Sequence, residues 1–289
     1  MTTRSLHASS TGVARVVCEQ IAPAVGDTTG NMVLIVDAVN RALDAGADII
    51  LLPELATSGY VFESADEARS AAITCDDVFF GQVARLLDGT DSVVVLGFCE
   101  LAPGGELFNS AAVIASEGLR CVYRKTHLWD RETLIFTPGQ ASPPIVNTAH
   151  GRIGVLICYD LEFPEMSRAL AVAGADLLAV PTNWPRGEAP PGERYVEIIL
   201  AQAAARANGV FVAVCDRRGL ERGQAWNEGS VIIDQFGWVR SAAAVTHSAN
   251  PAATADIFPA LARDKSISPH NNLLADRRTD IYAIEVTAA

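Results

Sequence analysis

Residues Gly154–Glu165 read GVLICYDLEFPE. The opening run, Gly154–Cys158, offers no polar side chain to solvent. A sheet wetted on one face alternates polar and apolar residues, so a strand of this kind belongs in a sheet covered on both faces. Pro164 fits the first position of a following helix, where a missing N–H is not needed. Similar apolar runs occur at Ile49–Pro53 (IILLP), Val93–Gly97 (VVVLG) and Asp176–Pro181 (DLLAVP). Strands buried on both faces and alternating with amphipathic helical segments place the chain in the α/β class. Cys158 is then either one more small hydrophobe closing a strand or a nucleophile displayed at its end, with no histidine beside it in sequence.

Working outward, Val13–Glu19 reads as a first strand, and Asp27-Thr28-Thr29 can cap a helix that runs to about Ala45 and stops at Gly46. Asp48–Glu54 reads as a buried strand ending on a carboxylate. A second helix is expected between Ser64 and Leu87, then a strand over Ser92–Glu100. Strand-like runs follow near Ser110–Ser116, Leu119–Leu128 and Pro144–Thr148 with little helix between them. After Arg152–Cys158 come a helix over Pro164–Ala173, the strand Asp176–Pro181 and a long helix over about Glu193–Asn208. Val210–Cys215, Gly229–Asp234, Trp238–Val245 and Ala253–Ile257 complete the strands. The paired β segments suit two packed sheets with helices outside better than one open sheet. Gly187–Gly192 is the best loop signal but is too short to be a linker. The expectation is a loose tail over residues 1–12 and one domain over residues 13–289.

A chain of 289 residues with 49% hydrophobic content can bury a substantial core, which excludes a disordered polymer. No apolar run reaches the roughly 18 to 20 residues needed to span a bilayer. The start, MTTRSLHASSTG, lacks the apolar centre of a signal peptide, so a soluble, cytoplasmic protein is expected. A net charge of −12 argues against nucleic acid as a partner. Cys18, Cys75, Cys99, Cys121, Cys158 and Cys215 form no CxxC pair, which suits reduced core thiols better than disulfides or a zinc site.

Three strand-like runs end on reactive side chains, Glu54, Lys125 and Cys158, and strand carboxyl ends are where α/β folds bind ligands. The plainer reading of Glu54 is a solvated acid, and of Lys125 an exposed basic patch. Yet only Lys125 and Lys265 among the 22 basic residues are lysines. Where Arg is the habit, a lysine fits a place that needs one compact charge beside a single oxygen. Lys265 has no such context and reads as surface. His127, two residues past Lys125 on the same strand face, keeps a Cys–His pair open as a rival activation. A metal held by Cys158, Asp160 and Glu162 fits poorly, because the set lacks histidine and matches no common site.

With LLPELATSGY around Glu54, YRKTHLWDRE around Lys125 and GVLICYDLEFPE around Cys158, the chain resembles the nitrilase (carbon–nitrogen hydrolase) superfamily from about residue 13 to 282. Phe108-Asn109-Ser110-Ala111, Phe136-Thr137-Pro138-Gly139, Arg206-Ala207-Asn208-Gly209 and Gly229-Ser230 add to the likeness. The resemblance implies a four-layer αββα sandwich that pairs into homodimers or larger homo-oligomers. It implies Glu54 as base, Lys125 as oxyanion partner, Cys158 as nucleophile and Glu132, whose plainer reading is a surface acid in a loop, as the acid that holds Lys125 and substrate in position. Lys125 and a helix start at Pro164 would favour the thiolate at Cys158. The Tyr159 backbone N–H would help bind the oxyanion, and Tyr60, Asn183 and Trp184 would take part in binding substrate; the plainer reading of Asn183-Trp184 is a turn with a packed aromatic. No cofactor or metal is implied at any step. The Tyr159-Asp160 pair stands where true nitrilases carry Trp-Glu, and Leu161-Glu162-Phe163 replaces the Arg-rich continuation of carbamoylases. An amidase acting on a small aliphatic or amino-acid amide is therefore expected. N-carbamoyl hydrolysis, nitrile hydrolysis and a scaffold without turnover are the alternatives. Cys215-Asp216 departs from the family, many of whose members carry Asn near there.

Overall fold

The computed structural model describes residues 12–243 and 251–282. The expected tail at residues 1–12 lies outside them except for Gly12, as do His7, His247 and the last two residues of the expected strand at Trp238–Val245. The first half of the chain runs β1 (Ala14–Glu19), α1 (Thr28–Asp44), β2 (Ile49–Leu51), α2 (Ala65–Ala71), α3 (Val78–Leu86), β3 (Val93–Leu101), β4 (Leu107–Ala115) and β5 (Gly118–Arg124). The second half runs β6 (Ile145–Thr148), β7 (Gly151–Val155), α4 (Pro164–Val172), β8 (Leu177–Pro181), α5 (Val196–Asn208) and β9 (Phe211–Cys215). A short ribbon, β10 (Leu220–Glu221) and β11 (Gln224–Ala225), precedes β12 (Val231–Ile233), β13 (Val239–Ala242) and β14 (Ala252–Ile257).

These strands build two six-stranded sheets, ordered β14-β1-β2-β3-β4-β5 and β13-β12-β9-β8-β7-β6. In each, the β1–β2–β3 or β7–β8–β9 neighbours run parallel and the outer strands antiparallel. Side chains alternate between two cores. Val16, Cys18, Ile49, Leu51, Val93 and Val95 face the second sheet and pack with Val155, Leu177 and Val214. Val17, Ile50, Val94 and Leu96 face the other way, onto Ile35, Val39, Phe79 and Val83 of α1 and α3. On the far side α4 and α5 cover the second sheet through Leu170, Ala201 and Ala205. The layers are thus αββα, as expected.

Several boundaries differ from the sequence reading. The helix expected over Ser64–Leu87 is two, because the Asp77 carboxylate accepts from Phe79 N–H and starts α3 afresh, while Ile73 bridges to Glu100 of β3. The strands expected to end on Glu54 and Cys158 stop at Leu51 and Val155, and β5 ends at Arg124, one residue before Lys125. The long helix begins at Val196 and ends with Gly209 in the left-handed conformation. Lys265 is not a free surface lysine. It is half-buried and its Nζ donates to the carbonyls of Asn208 (3.1 Å) and Gly209 (2.8 Å), closing the carboxyl end of α5.

Candidate active site

Three short departures from regular structure, all at one edge of the paired sheets, bring the reactive side chains together. Past β2 the chain turns at Leu55, past β5 at Asp130, and past β7 at Cys158 itself, and each of these residues has positive φ (48°, 44° and 47°). They are three of the five such non-glycine residues among the described residues. Positive φ is costly for a residue with a Cβ and concentrates where function demands it. Gly97 of β3 makes room for the first turn, since a Cβ there would lie 2.5 Å from Glu54 Cα.

Glu54, Lys125 and Glu132 form one buried cluster. Lys125 Nζ donates to Glu54 Oε1 at 2.7 Å and to Glu132 Oε1 at 2.8 Å, with no solvent exposure at Lys125 or Glu54. Asn109 Nδ2 donates to the same Glu54 oxygen (2.8 Å), while Lys125 N–H donates to the Asn109 carbonyl (2.8 Å) beyond the end of the β4–β5 ladder. Tyr60 OH donates to Glu132 Oε1 (2.6 Å), and Trp129 N–H donates to its Oε2 (3.2 Å). Glu132, in the 3₁₀ turn Asp130–Leu134, is therefore no surface acid. Asn183 Nδ2 donates to the Glu54 backbone carbonyl (2.8 Å), fixing the chain from which the carboxylate projects.

Charge in this space is set by burial. Burial pushes the Glu54 carboxyl up to about 7, although Lys125 pulls it down, and Glu132 adds to the rise. For Lys125, burial disfavours the ammonium, but Glu132 and Glu54 outweigh it and keep the amine protonated. Burial, reinforced by the negative charge of Glu54, holds the Cys158 thiol well above its ordinary range, while Lys125 acts in the opposite direction. Lys125 therefore favours the thiolate, as expected, but is outweighed in the resting site. The Lys125 charge already faces two carboxylates, so the thiol keeps its proton until a base takes it. The Thr182 hydroxyl, buried and with no other partner, lies near enough to Cys158 to ease charge on the sulfur.

Cys158 opens the 3₁₀ turn Cys158–Glu162, and Pro164 begins α4 just beyond it. Tyr159 is the second residue of that turn, where a backbone N–H has no acceptor within the helix. Asp160, fully buried, ties this turn to the end of β5: it accepts from Ile157 N–H (3.2 Å), Tyr123 OH (2.9 Å) and His127 N–H (3.0 Å), with His127 Nδ1 at 2.8 Å. The His127 ring also stacks on Phe163, with centroids 3.7 Å apart. His127 lies beyond the strand, with Asp160 and Phe163 as its neighbours, whereas the groups acting on Cys158 are Glu54, Lys125, Glu132 and Thr182, which favours Glu54 over the rival Cys–His pair.

Beside the cluster opens a cavity of about 130 Å³, mostly apolar, whose walls include Tyr60, Phe62, Trp129, Glu132, Phe136 and Trp226. Tyr60 and Glu132 belong to both cavity and cluster, so the cavity meets the cluster there. Arg131 is the only cationic side chain of its lining. Tyr159, Asn183 and Trp184 do not line it. Trp184 is buried in the core, where its backbone N–H donates to Asp216 Oδ1 (3.0 Å) and its ring packs against Gly229. Pro185 and Trp226 take the wall instead. The sequence reading assigned no role to Asn109, Thr182 or Trp226. Asn109 lay inside a quoted motif, but nothing in the local pattern of the other two marks them.

Known proteins resemble this chain over most of its length. The profile of the carbon–nitrogen hydrolase family matches residues 13–263. A nitrilase of Pyrococcus abyssi is 32% identical over 274 residues, covering 93% of this chain and 99% of that protein. An (R)-stereoselective amidase of Pseudomonas sp. is 34% identical over 222 residues, 76% of this chain and 77% of that one. Among solved structures, an amidase from Nesterenkonia sp. AN1 carrying the acetamide moiety of fluoroacetamide on its active-site cysteine superposes with a TM-score of 0.74. It is 27% identical, over 93% of this chain and 95% of that chain.

Proposed function

This chain belongs to the carbon–nitrogen hydrolase family, and we propose that within it the protein is an amidase that converts a small carboxylic amide to the acid and ammonia through a thioester on Cys158. The observation that carries this reading is the buried Lys125 ammonium, held within 2.8 Å of both Glu54 and Glu132. Glu54 takes the thiol proton as sulfur attacks the amide carbonyl carbon. Lys125 and the Tyr159 N–H receive the developing oxyanion. The C–N bond breaks as Glu54 returns the proton to nitrogen, and ammonia leaves. Water, deprotonated by Glu54, then attacks the thioester carbonyl. The C–S bond breaks, the acid departs and the proton returns to sulfur. A carboxyl raised to about 7 suits a group that must both take and give a proton near neutrality. The apolar cavity supports an uncharged acyl group of modest size.

The test is a panel of an aliphatic amide, an N-carbamoyl amino acid and a nitrile, read by ammonia release and intact-protein mass. The expected result is turnover of the amide and an acyl adduct that is absent in Cys158→Ala. Ammonia from the nitrile alone would favour the activity named for the Pyrococcus relative. Absence of both adduct and turnover would favour the scaffold reading.

We also propose a homodimer built on the α4–α5 layer, supported by Val172, Val196 and Ile199, which expose 43%, 60% and 45% of their surface. The six free thiols support a reducing compartment such as the cytoplasm. Among the described residues no helix is long and apolar enough to cross a membrane.

A further inference from the structure

We propose that Arg217 and Glu221, a buried ion pair outside the catalytic cluster, are positioning residues that hold Tyr60 against Glu132 and thereby fix the geometry around Lys125. The inference rests on the amidase reading above. Glu221 sits on the two-residue strand β10, whose other residue, Leu220, is 71% exposed. So short a ribbon has no core of its own, yet the Glu221 carboxylate points inward and is almost fully buried. Its Oε2 accepts from the backbone N–H of Tyr60 (3.0 Å) and of Val61 (2.8 Å). Arg217 Nη1 lies 3.0 Å from the same oxygen, and Arg217 Nη2 donates to the Pro23 carbonyl. Gly59 permits this approach, for a Cβ there would fall 2.7 Å from Glu221 Oε1 and 2.3 Å from Val25 Cα.

Tyr60 is thus held at its backbone by Glu221. It is held at its ring as well: the Arg217 guanidinium lies over Trp226, 4.7 Å from the ring centroid, and Trp226 meets Tyr60 edge-on at 5.4 Å. The far end of Tyr60 donates to Glu132 at 2.6 Å, and Glu132 accepts from Lys125. A continuous set of contacts therefore runs from Arg217 to the Lys125 ammonium. An ion pair buried this deeply contributes little net stability, because desolvation offsets the attraction. Its distinctive consequence here is geometric. It fixes the segment that carries Tyr60 and, through Trp226, the Tyr60 ring.

The experiment replaces both partners, Arg217→Met with Glu221→Leu, in the full chain, with and without Tyr60→Phe. Ammonia release from the best amide of the panel is measured alongside Tm. Exchanging both partners avoids a lone buried charge but leaves the Tyr60 and Val61 N–H groups and the Pro23 carbonyl without their partners, so Tm is expected to fall by about 5–10 °C with the protein still folded. Misplacing the arm is expected to lower kcat by about 10- to 100-fold. Tyr60→Phe alone is expected to lower kcat too. In that background the double replacement should add almost nothing, since the arm is already cut. Unchanged kcat in a folded double variant overturns the inference, as does an equal further loss in the Tyr60→Phe background. If the double variant does not fold, Glu221→Gln takes its place, with a several-fold fall in kcat expected only when Tyr60 is present; no fall, or equal falls in both backgrounds, overturns the inference. A parent protein that releases ammonia from no amide overturns the amidase reading and this inference with it. An active parent with additive losses overturns this inference alone.

Discussion

At the scale of single residues, Glu54 is decided by where it is buried. The same carboxylate in water would be ionised far below neutrality and would be a weak base. With burial raising it to about 7, its deprotonated form, the one able to take the Cys158 proton, is lost as pH falls. The expected kcat/KM therefore drops about tenfold per unit below about pH 7, with an apparent pKa near that value. A flat profile across about two units below neutrality would remove Glu54 as the base. The local sequence makes Glu54, Lys125 and Cys158 visible as candidates, the lysine because it breaks the chain's preference for arginine, whereas Glu132 came only from the family resemblance. The protonation state of the thiol is not visible there, because it depends on carboxylates supplied by distant segments.

Between elements, the decisive contacts join turns to strand ends. Asp160 gathers the Cys158 turn and the segment after β5 into one unit through Ile157, Tyr123 and His127. Asp160→Asn keeps one acceptor oxygen but loses the carboxylate that serves all these donors. It is expected to lower Tm by an amount matching about 1–3 kcal/mol and to reduce kcat along with it. His127→Ala removes only part of this set and is expected to leave kcat within about tenfold of the parent. Collapse of turnover in His127→Ala, with Asp160→Asn active, would restore the Cys–His reading. Most strands and helices were legible in the sequence, the central strands as apolar runs covered on both faces and the helices by one buried stripe, although the helix expected over Ser64–Leu87 is two. Their ends were not legible, since Leu55 and Cys158 adopt a positive-φ backbone that their side chains disfavour and that only the assembled edge enforces.

For the whole molecule, the outer face of α5 remains apolar in the single chain, and a stable αββα–αββα pair would cover it. Analytical ultracentrifugation is expected to give about twice the 30.6 kDa chain mass. A monomer at micromolar concentration would refute the proposed interface. The α/β class, the two packed sheets and the candidates for the reactive residues follow from the sequence, because burial pattern and side-chain chemistry are local properties written residue by residue. Which oxygen Lys125 meets, that Trp184 enters the core while Trp226 lines the cavity, and that Glu221 anchors Tyr60 were settled only by the tertiary structure. Each of those depends on segments far apart in the chain meeting at one edge, and the distances that govern their electrostatics exist only once the sheets have packed.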